Sequence, residues 1–435
     1  MDVLDYNTPI LEEDTPYERT NYINPDEHKK SSTFQIFLHL FKSNIGVGVL
    51  NMPQTLSRAG ILLGPVVSLL CIIPIIHCML LLLKCSREIK KRTNKKAIGY
   101  AGTFRYSFIE HIGPYSRYLV YVGNFYLLAS QLGVCTVYIT FAAETLYSVT
   151  EKPFDIRLFM LMIGLLIIPL VFVTRLDVMS ILSGGANALC LFSLICTLGY
   201  ILRDVKSPKN YPMIGDMSKF PLFISSVMYV FEGINVVIPL DNEIAEPDRY
   251  PFVLKLATYL CGFIYFSFGL LGYLAYGSHA LDSVTLNLPI QPFTNVVKIV
   301  YAIGIIMTFF IQFHIAMSVM MPTILKKVPN RSRHTLVSSI TRFFFASLIL
   351  FLAIAIPQMK NLISFIGAFS CTSLSLIFPC IIHMATFWNT QGEDRLTRSV
   401  IIKDISIIIL GSCLAVVGVF ASIAEIVKEY KLTPD

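Results

Sequence analysis

Long apolar stretches dominate this chain, and they restrict its fold more than any other feature. We count eleven runs of roughly 18 residues or more, each long enough to cross about 30 Å of hydrocarbon as a helix. Since 54% of the residues are hydrophobic and only 14% are charged, a soluble globular domain is excluded. We therefore predict an all-α integral membrane protein with about eleven transmembrane helices. The predicted spans are 34–57, 62–84, 118–147, 157–174, 178–202, 220–244, 251–276, 293–325, 335–356, 362–387 and 401–427.

Lysines and arginines are concentrated in two loops between these runs, at 84–117 and 326–334. Short basic loops remain on the cytoplasmic side of a membrane, so both loops and, by counting spans, the N-terminus are predicted to be cytoplasmic. Residues 1–33 are polar and lack the apolar core of a signal peptide, which predicts a disordered cytoplasmic tail ahead of a transport domain at 34–427. An odd number of spans predicts a short extracellular or lumenal C-terminal tail at 428–435. The net charge of +7 then reflects topology, and no nucleic-acid partner is predicted.

Two of the predicted spans carry residues that interrupt a helix. The first contains NIGVGVLNMP at 44–53 and the sixth contains FEGINVVIPL at 231–240. In a helix interior, each glycine costs about 1 kcal/mol relative to alanine and each proline about 3 kcal/mol. Each interrupted span opens a set of five, which leaves the eleventh as an extra helix. Breaks at corresponding places in two halves of a membrane chain are typical of inverted-repeat transporters, whose site lies between the unwound segments.

The interrupted helices predict the chemistry of a ligand. Unwinding exposes backbone N–H and C=O groups, which lipid cannot satisfy but a polar ligand can. The half-helix that begins near Val49 directs its positive dipole end at an anion, and the carbonyl groups at the other end of the break attract a cation. An anion beside a cation describes an amino acid zwitterion. A single glycine in such a helix would more simply be a close-packing contact, but two matched breaks favour the site.

These motifs resemble those of the proton-coupled amino acid transporters, a group within the amino acid/auxin permease family, whose superfamily has the LeuT-like five-plus-five inverted repeat. The resemblance covers almost the whole chain beyond the N-terminal tail. It rests on HLFKSNIGVGVLNMPQTLSRAGILLGP at 39–65, IHCMLLL at 76–82, YVFEGINVVIPLDNEIAEPDRYP at 229–251, GLLGYLAYG at 269–277 and SVTLNLP at 283–289. We expect an invertebrate origin.

The resemblance implies import of small neutral amino acids with a proton moving in the same direction. The family's essential histidine in the first helix matches His39. Departures from the family pattern bear on the substrate range: Val47 stands in place of threonine, and Asn235 in place of glycine. In the eighth span, QFHIAMS at 312–318 places His314, Ala316 and Ser318 where the family has tyrosine, proline and glutamate.

Candidate site residues follow from the two breaks and from polar side chains on other spans. Glu232 is an ionisable group deep in an apolar span, where a charge is costly, so it is either a second proton carrier or a hydrogen-bonded structural glutamate. Asn124, Gln131, His314 and His77 are weaker candidates, since polar side chains also join membrane helices together. The predicted substrate-binding residues are Asn44, Ile45, Gly46, Val47, Gly48, Val49, Phe231, Glu232, Gly233, Asn235, Tyr126 and Gln312; the predicted proton-coupling residues are His39 and Glu232.

The leading functional prediction is thus a secondary active symporter with alternating access around 44–49 and 231–235. The alternatives are an amino acid sensor read by a cytoplasmic signalling partner and a proton-independent exchanger on the same fold. No motif of a hydrolase or nucleotide-driven pump is present, and neither an enzyme, a cofactor nor a metal is predicted. The charged run at 241–250 is either part of an inner gate or a solvated connector. The cell membrane is the predicted location, with an endosomal or lysosomal membrane as the alternative.

Overall fold

The structure, a computed structural model, describes residues 30–151, 154–172, 176–392 and 395–432, without the side chains of 176–183 and 432. Within these ranges the regular structure is helical, apart from one isolated pairing of Ser31 with Ile244. The α-helices are α1 Thr33–Asn44, α2 Gly48–Ala59, α3 Leu63–Thr93, α4 Tyr100–Ser107, α5 Ile109–Ile112, α6 Arg117–Val149, α7 Ile156–Leu170, α8 Leu176–Asp204, α9 Phe220–Val230, α10 Val237–Glu243, α11 Tyr250–Tyr276, α12 Pro292–Leu325, α13 His334–Ala355, α14 Met359–Ile366, α15 Phe378–Phe387 and α16 Arg398–Leu432.

The predicted membrane helices correspond to helices of the structure. In the described parts of the chain, nine continuous or nearly continuous helical segments have the length and apolar character needed to cross a membrane. The broken pair α1 and α2 and the shorter apolar helix α7 account for the other two predicted spans. Several helices extend past their apolar runs, because charged turns beyond the run keep helical geometry: α3 continues to Thr93 through its lysines and arginines and ends at Asn94 in the left-handed conformation.

The two predicted breaks are present. α1 ends at Asn44 and α2 begins at Gly48, with Ile45 in an extended conformation between them. α9 ends at Val230 and α10 begins at Val237, after a short 3₁₀ turn at Ile234–Val236. α2 packs against α9 and α11, while α12 packs against α6 and α8, so unbroken helices surround both breaks.

A second irregularity follows α14, where two π-helical turns at Gly367–Cys371 and Ser373–Ile377 precede α15. The backbone of Gly367 lies directly against the carbonyl group of Ser225 on α9, leaving no room for a side chain. π-Helical turns are rare, and those that do occur are often found at functional sites. These turns were not predicted from the sequence, since the run at 362–387 is uniformly apolar.

Charge distinguishes the two ends of the bundle. α3 and α12 end at Thr93 and Leu325, beside the lysines and arginines of the two basic loops. We call this the basic end and the opposite one the far end.

Most of the predicted N-terminal tail, residues 1–29, lies outside the described residues. A capping box formed by Ser32 and Gln35 begins α1. At the other terminus, α16 extends to Leu432, beyond the start of the predicted tail at 428–435; residues 433–435 also lie outside the described part.

Candidate functional site

The break between α1 and α2 exposes backbone carbonyl groups, and tyrosines from neighbouring helices donate hydrogen bonds to two of them. The Tyr265 hydroxyl, on α11, donates to the carbonyl of Asn44. The Tyr301 hydroxyl, on α12, donates to the carbonyl of Gly46 over 3.2 Å. Since buried C=O groups are costly when unpaired, these two phenols stabilise the non-helical conformation at Ile45 and fix its position relative to α11 and α12.

The break between α9 and α10 places the Glu232 carboxylate at the centre of a polar cluster. Its Oε1 atom accepts hydrogen bonds from the Ser130 hydroxyl on α6 and from the Asn235 amide over 2.6 Å. Its Oε2 atom accepts from the Cys371 thiol, in the first π-helical turn, over 3.1 Å. Three separate parts of the bundle therefore converge on one carboxylate. The Glu232 side chain is only partly buried, so it is not sealed within the protein core.

The two breaks face each other at short range. A Cβ atom on Gly233 would lie 2.6 Å from Oδ1 of Asn44, and one on Gly48 would lie 3.0 Å from a methyl group of Val230. A Cβ at 233 would therefore require the Asn44 side-chain amide, which donates to the carbonyl of Leu40 over 2.7 Å, to move. On the other side, Gly46 lies beside the hydroxyl of Tyr138, with 3.4 Å between the oxygen and a built Cβ.

The cluster is short of positive charge. Each of the three donors to Glu232 is a neutral group, and among the described residues no lysine, arginine or histidine forms an ion pair with this carboxylate. The Oδ1 atom of Asn235 is also buried and has no hydrogen-bond donor. A partly buried carboxylate without a cationic neighbour is stabilised by protonation or by pairing with a cation. This arrangement can therefore accept a proton or a positively charged group of a ligand.

The other predicted residues lie at different distances from this cluster. Tyr126, one turn before Ser130 on α6, stacks on Phe369 with 5.2 Å between ring centroids. Phe231 packs edge-on against Tyr265 at 5.6 Å, and Val47 and Val49 are buried in the core. Gln312 lies beside Tyr138. Asn124 and Gln131 are buried on α6 with an unpaired side-chain oxygen each, and His314 has a buried, unpaired Nδ1 atom.

His39 does not lie in the cluster. It is exposed on the outer face of α1, more than one turn before the break, and its nearest identified charged neighbour is Glu243 at the end of α10. The structure thus separates the two predicted proton-coupling residues, with Glu232 between the breaks and His39 toward the basic end.

Several groups at the site were missed by sequence reasoning. They are Ser130, Tyr138, Tyr265, Tyr301 and Cys371, which the structure brings to the breaks from unbroken helices or from the π-helical turn. Their local sequences are ordinary apolar runs. The only available signal was the presence of hydroxyl and thiol groups in membrane spans, which is shared by many residues that serve packing alone.

At the basic end, a buried carboxylate joins α10 to α3. Asp241, with a side chain 2% exposed, forms ion pairs with Arg87 and Lys90 at 2.6 Å each. The chain before α1 pairs with the segment after α10: Ser31 donates to the carbonyl of Glu243, and Ala245 donates to that of Ser31, both over 2.9 Å. This arrangement closes the bundle at that end and favours the gate interpretation of the charged run at 241–250.

At the far end, Arg58 of α2 is buried and donates to the hydroxyls of Ser364 and Ser226 over 2.9 and 3.2 Å. Nearby, the carboxylate of Asp282 accepts the backbone N–H of Lys360 over 3.0 Å, and the Lys360 ammonium pairs with Glu429 at 2.7 Å. Burial raises the pKa of Asp282, although Lys360 and Arg58 act in the opposite direction. The far end is thus also closed by buried polar contacts between α2, α9, α14 and α16.

Comparisons with known proteins agree with this architecture. Residues 29–424 match the family model described as "Transmembrane amino acid transporter protein". The chain is 28% identical to the "Proton-coupled amino acid transporter-like protein pathetic" of Drosophila melanogaster, over 90% of this chain and 84% of that protein. It is likewise 28% identical to "Amino acid transporter AVT3C" of Arabidopsis thaliana, over 91% of each.

A solved structure shares the fold. The crystal structure of MhsT in complex with L-phenylalanine superposes with a TM-score of 0.52 over 91% of this chain and 100% of the other, at 12% sequence identity. Identity at this level supports the fold alone. The predicted fold class, an all-α membrane protein with the LeuT-like repeat, is confirmed.

Proposed function

Because the chain belongs to the family of transmembrane amino acid transporter proteins, we propose that it imports small neutral amino acids by symport with protons. The resemblance to the family's proton-coupled group, predicted from the sequence, is confirmed, and this is a family of transporters rather than enzymes. One observation carries the proposal: two unwound helices face each other around a carboxylate that has no cationic partner among the described residues.

The substrate lies between the breaks in this proposal. Its carboxylate binds at the N-terminal end of α2, near Gly48 and Val49, where the positive end of the helix dipole favours an anion. Its ammonium group faces the electron-rich side formed by Glu232, the unpaired Oδ1 of Asn235 and the carbonyls at Asn44–Gly46. The close approach of Gly48 to Val230 and of Gly46 to Tyr138 leaves little space, which supports a small neutral side chain.

Glu232 is the favoured proton carrier because it lies at the site itself. When the site faces an acidic compartment, protonation of Glu232 removes the uncompensated charge; when the site faces the cytoplasm, the proton leaves with the substrate. His39 remains a second proposed proton-coupling residue on the strength of the family resemblance, acting from the basic end near Glu243. Histidine is suited to this role because its charge changes near neutral pH.

Alternating access is proposed to use the two closed ends. Opening toward the cytoplasm separates Asp241 from Arg87 and Lys90, and opening toward the other side separates the contacts of Arg58 and Asp282. This assignment takes the basic end, and with it the N-terminus, as cytoplasmic. The cell membrane is the proposed location, with an endosomal or lysosomal membrane as the second possibility, since both present an acidic face opposite the cytoplasm.

Current recording in oocytes tests the proposal. The twenty amino acids are applied in sodium-free buffer at about pH 5.5 and about pH 7.5, a range that spans the titration of histidine. We expect inward currents with glycine, alanine or proline that grow several-fold in acid. Uptake of labelled substrate without current would indicate the exchanger. Binding to purified protein without any uptake would indicate the sensor and its cytoplasmic partner.

A further inference from the structure

Another buried carboxylate, that of Asp404, lies between α15 and α16 and takes no part in the helix breaks. The Nδ1 atom of His383 and the Oδ2 atom of Asp404 are 2.6 Å apart, and the two side chains are 6% and 0% exposed. Asp404 belongs to the eleventh span, which lies outside the five-plus-five repeat. No step of alternating access described above uses this pair.

The pair is accompanied by polar atoms that have no partner. The Oδ1 atom of Asp404 is buried and accepts no hydrogen bond, and the Nε2 atom of His77 on α3 is also buried and unpaired. His77 lies within electrostatic range of both His383 and Asp404. Buried polar atoms normally have partners, and an exception indicates a functional group or a bound proton or ion.

The charged and titratable groups around Asp404 indicate how many protons make the His383–Asp404 pair neutral. His77, Cys78 and Cys85 of α3 interact electrostatically with Asp404, and Lys403 of α16 interacts with His77 and Cys78. Around these groups lie Lys84 and Arg92, near Cys85, and Cys380 and Tyr100, near Cys78. Lys403 is exposed, and the Lys84 ammonium lies 4.6 Å from the centre of the Phe387 ring. His383 is therefore the contacting base. Neutral His383 and ionised Asp404 together carry one negative charge, which is costly in the interior when it is uncompensated. One added proton brings the net charge of the pair to zero.

We propose that His383 and Asp404, with His77 beside them, form a proton-binding site toward the basic end that is separate from Glu232. Because the site lies toward the basic end, its proton is exchanged with the side of the membrane that this end faces. The ligand is the proton itself, shared between Nδ1 of His383 and Oδ2 of Asp404.

This site is placed to influence transport. α15 packs against α3, which carries Arg87 and Lys90 of the basic-end gate. α16 packs against α9, where Gly418 lies against the Ser225 hydroxyl two turns before Glu232. Loss of the proton weakens the attraction between α15 and α16. This changes how firmly α15 supports α3 at the basic end and how firmly α16 supports α9 before the second break. This part of the inference rests on the proposed function, whereas proton binding itself does not.

Direct titration tests the site without substrate. The full chain in lipid nanodiscs is titrated from about pH 5 to pH 8 and followed by infrared difference spectroscopy. We expect histidine and carboxylate bands that disappear together in His383→Gln and in Asp404→Asn, two substitutions that retain hydrogen bonding. The control is His334→Gln, at the same end of the bundle, where the ring bonds only the carbonyl of Val328 at 3.0 Å. Titrations of His383→Gln identical to the wild type would overturn the proposal.

Transport provides the second measurement. In proteoliposomes with the external pH fixed and the internal pH varied, we expect His383→Gln to shift the midpoint of the internal-pH dependence by at least one unit and leave the external-pH dependence unchanged. A purely structural role would instead lower the rate by the same factor at every internal pH.

Wild-type protein without proton-driven uptake would contradict the proposed function, while the infrared titration would still decide the site. If both variants fail to fold, NMR of ¹⁵N-histidine in the wild type decides it through a histidine whose Nδ1 atom shows a strong hydrogen bond to a carboxylate at low pH and loses it as the pH rises; absence of such a signal would overturn the proposal.

Discussion

At the residue scale, Gly233 leaves room for the Asn44 side chain, and its backbone conformation does not itself demand glycine. A methyl group at 233 would collide with Oδ1 of Asn44. We predict that Gly233→Ala separates the two breaks and reduces substrate affinity at least tenfold. Gly199→Ala on α8 is the matched control, because a Cβ atom there meets nothing within 4 Å. Binding to purified protein measures the effect, and an unchanged affinity in Gly233→Ala would show that the breaks are not the substrate site.

A single substitution also tests which residue carries the proton. Glu232→Gln keeps the size of the side chain and the hydrogen bond from Ser130, but it cannot gain or lose a proton. We therefore predict residual substrate exchange with no dependence on external pH, whereas Glu246→Gln, at an exposed surface pair with Arg249, keeps the wild-type profile. His39→Ala is measured in parallel. If only His39→Ala abolishes the pH dependence, coupling belongs to α1 and not to the cluster around Glu232.

Substrate range is also set by single side chains. Asn235 lies next to Glu232 and brings an amide where the resembled family has glycine, and Val47 lacks the family's threonine hydroxyl. We predict that Val47→Thr combined with Asn235→Gly broadens uptake toward the family's small amino acids, with a several-fold gain for the poorest of them. A competition assay across the twenty amino acids measures the range. An unchanged ranking would place specificity on other helices.

At the element scale, the ion pairs at the basic end connect α10 with α3. Removing one partner of a fully buried pair costs roughly 3 kcal/mol or more; the cost here is lower, since the Arg87 side chain is 32% exposed. We predict that Asp241→Asn opens the basic end and increases the labelling of a cysteine introduced near Asn235 by several-fold. Asp216→Asn, at an exposed position of the far end, serves as control. Equal labelling in both variants would show that this connection is not a gate.

The elements also show what a sequence can and cannot predict. Both helix breaks were predicted, and helices in the described residues match the predicted spans, nine of them long and apolar enough to cross a membrane, because Gly, Pro and long apolar runs have strong local effects. The π-helical turns and the tyrosines that hold the first break were not, because their positions depend on contacts between distant helices: Tyr265 and Tyr301 are more than 200 residues from the carbonyls they bond. The position of His39 on an exposed face likewise depends on how α1 packs, which the local pattern leaves open.

At the scale of the whole molecule, the proposed symport assigns the two closed ends and the central carboxylate to a single cycle in which substrate and proton cross together. The buried networks of Arg58 and of Asp241 close the bundle on either side of Glu232. A neutral zwitterion that moves with one proton carries one net positive charge. Both the pH gradient and the membrane potential then contribute to its accumulation, and their contributions can be separated.

Imposed gradients in proteoliposomes measure these contributions. One pH unit is worth about 1.4 kcal/mol, or tenfold accumulation at most. A potential of 100 mV, negative inside, acts on one charge with about 2.3 kcal/mol, or roughly 50-fold. We predict accumulation under either gradient alone and a larger value when both are applied, with both effects lost in Glu232→Gln. An exchanger would equilibrate labelled substrate without concentrating it, and accumulation that follows the pH gradient but ignores the potential would require a compensating charge to move outward.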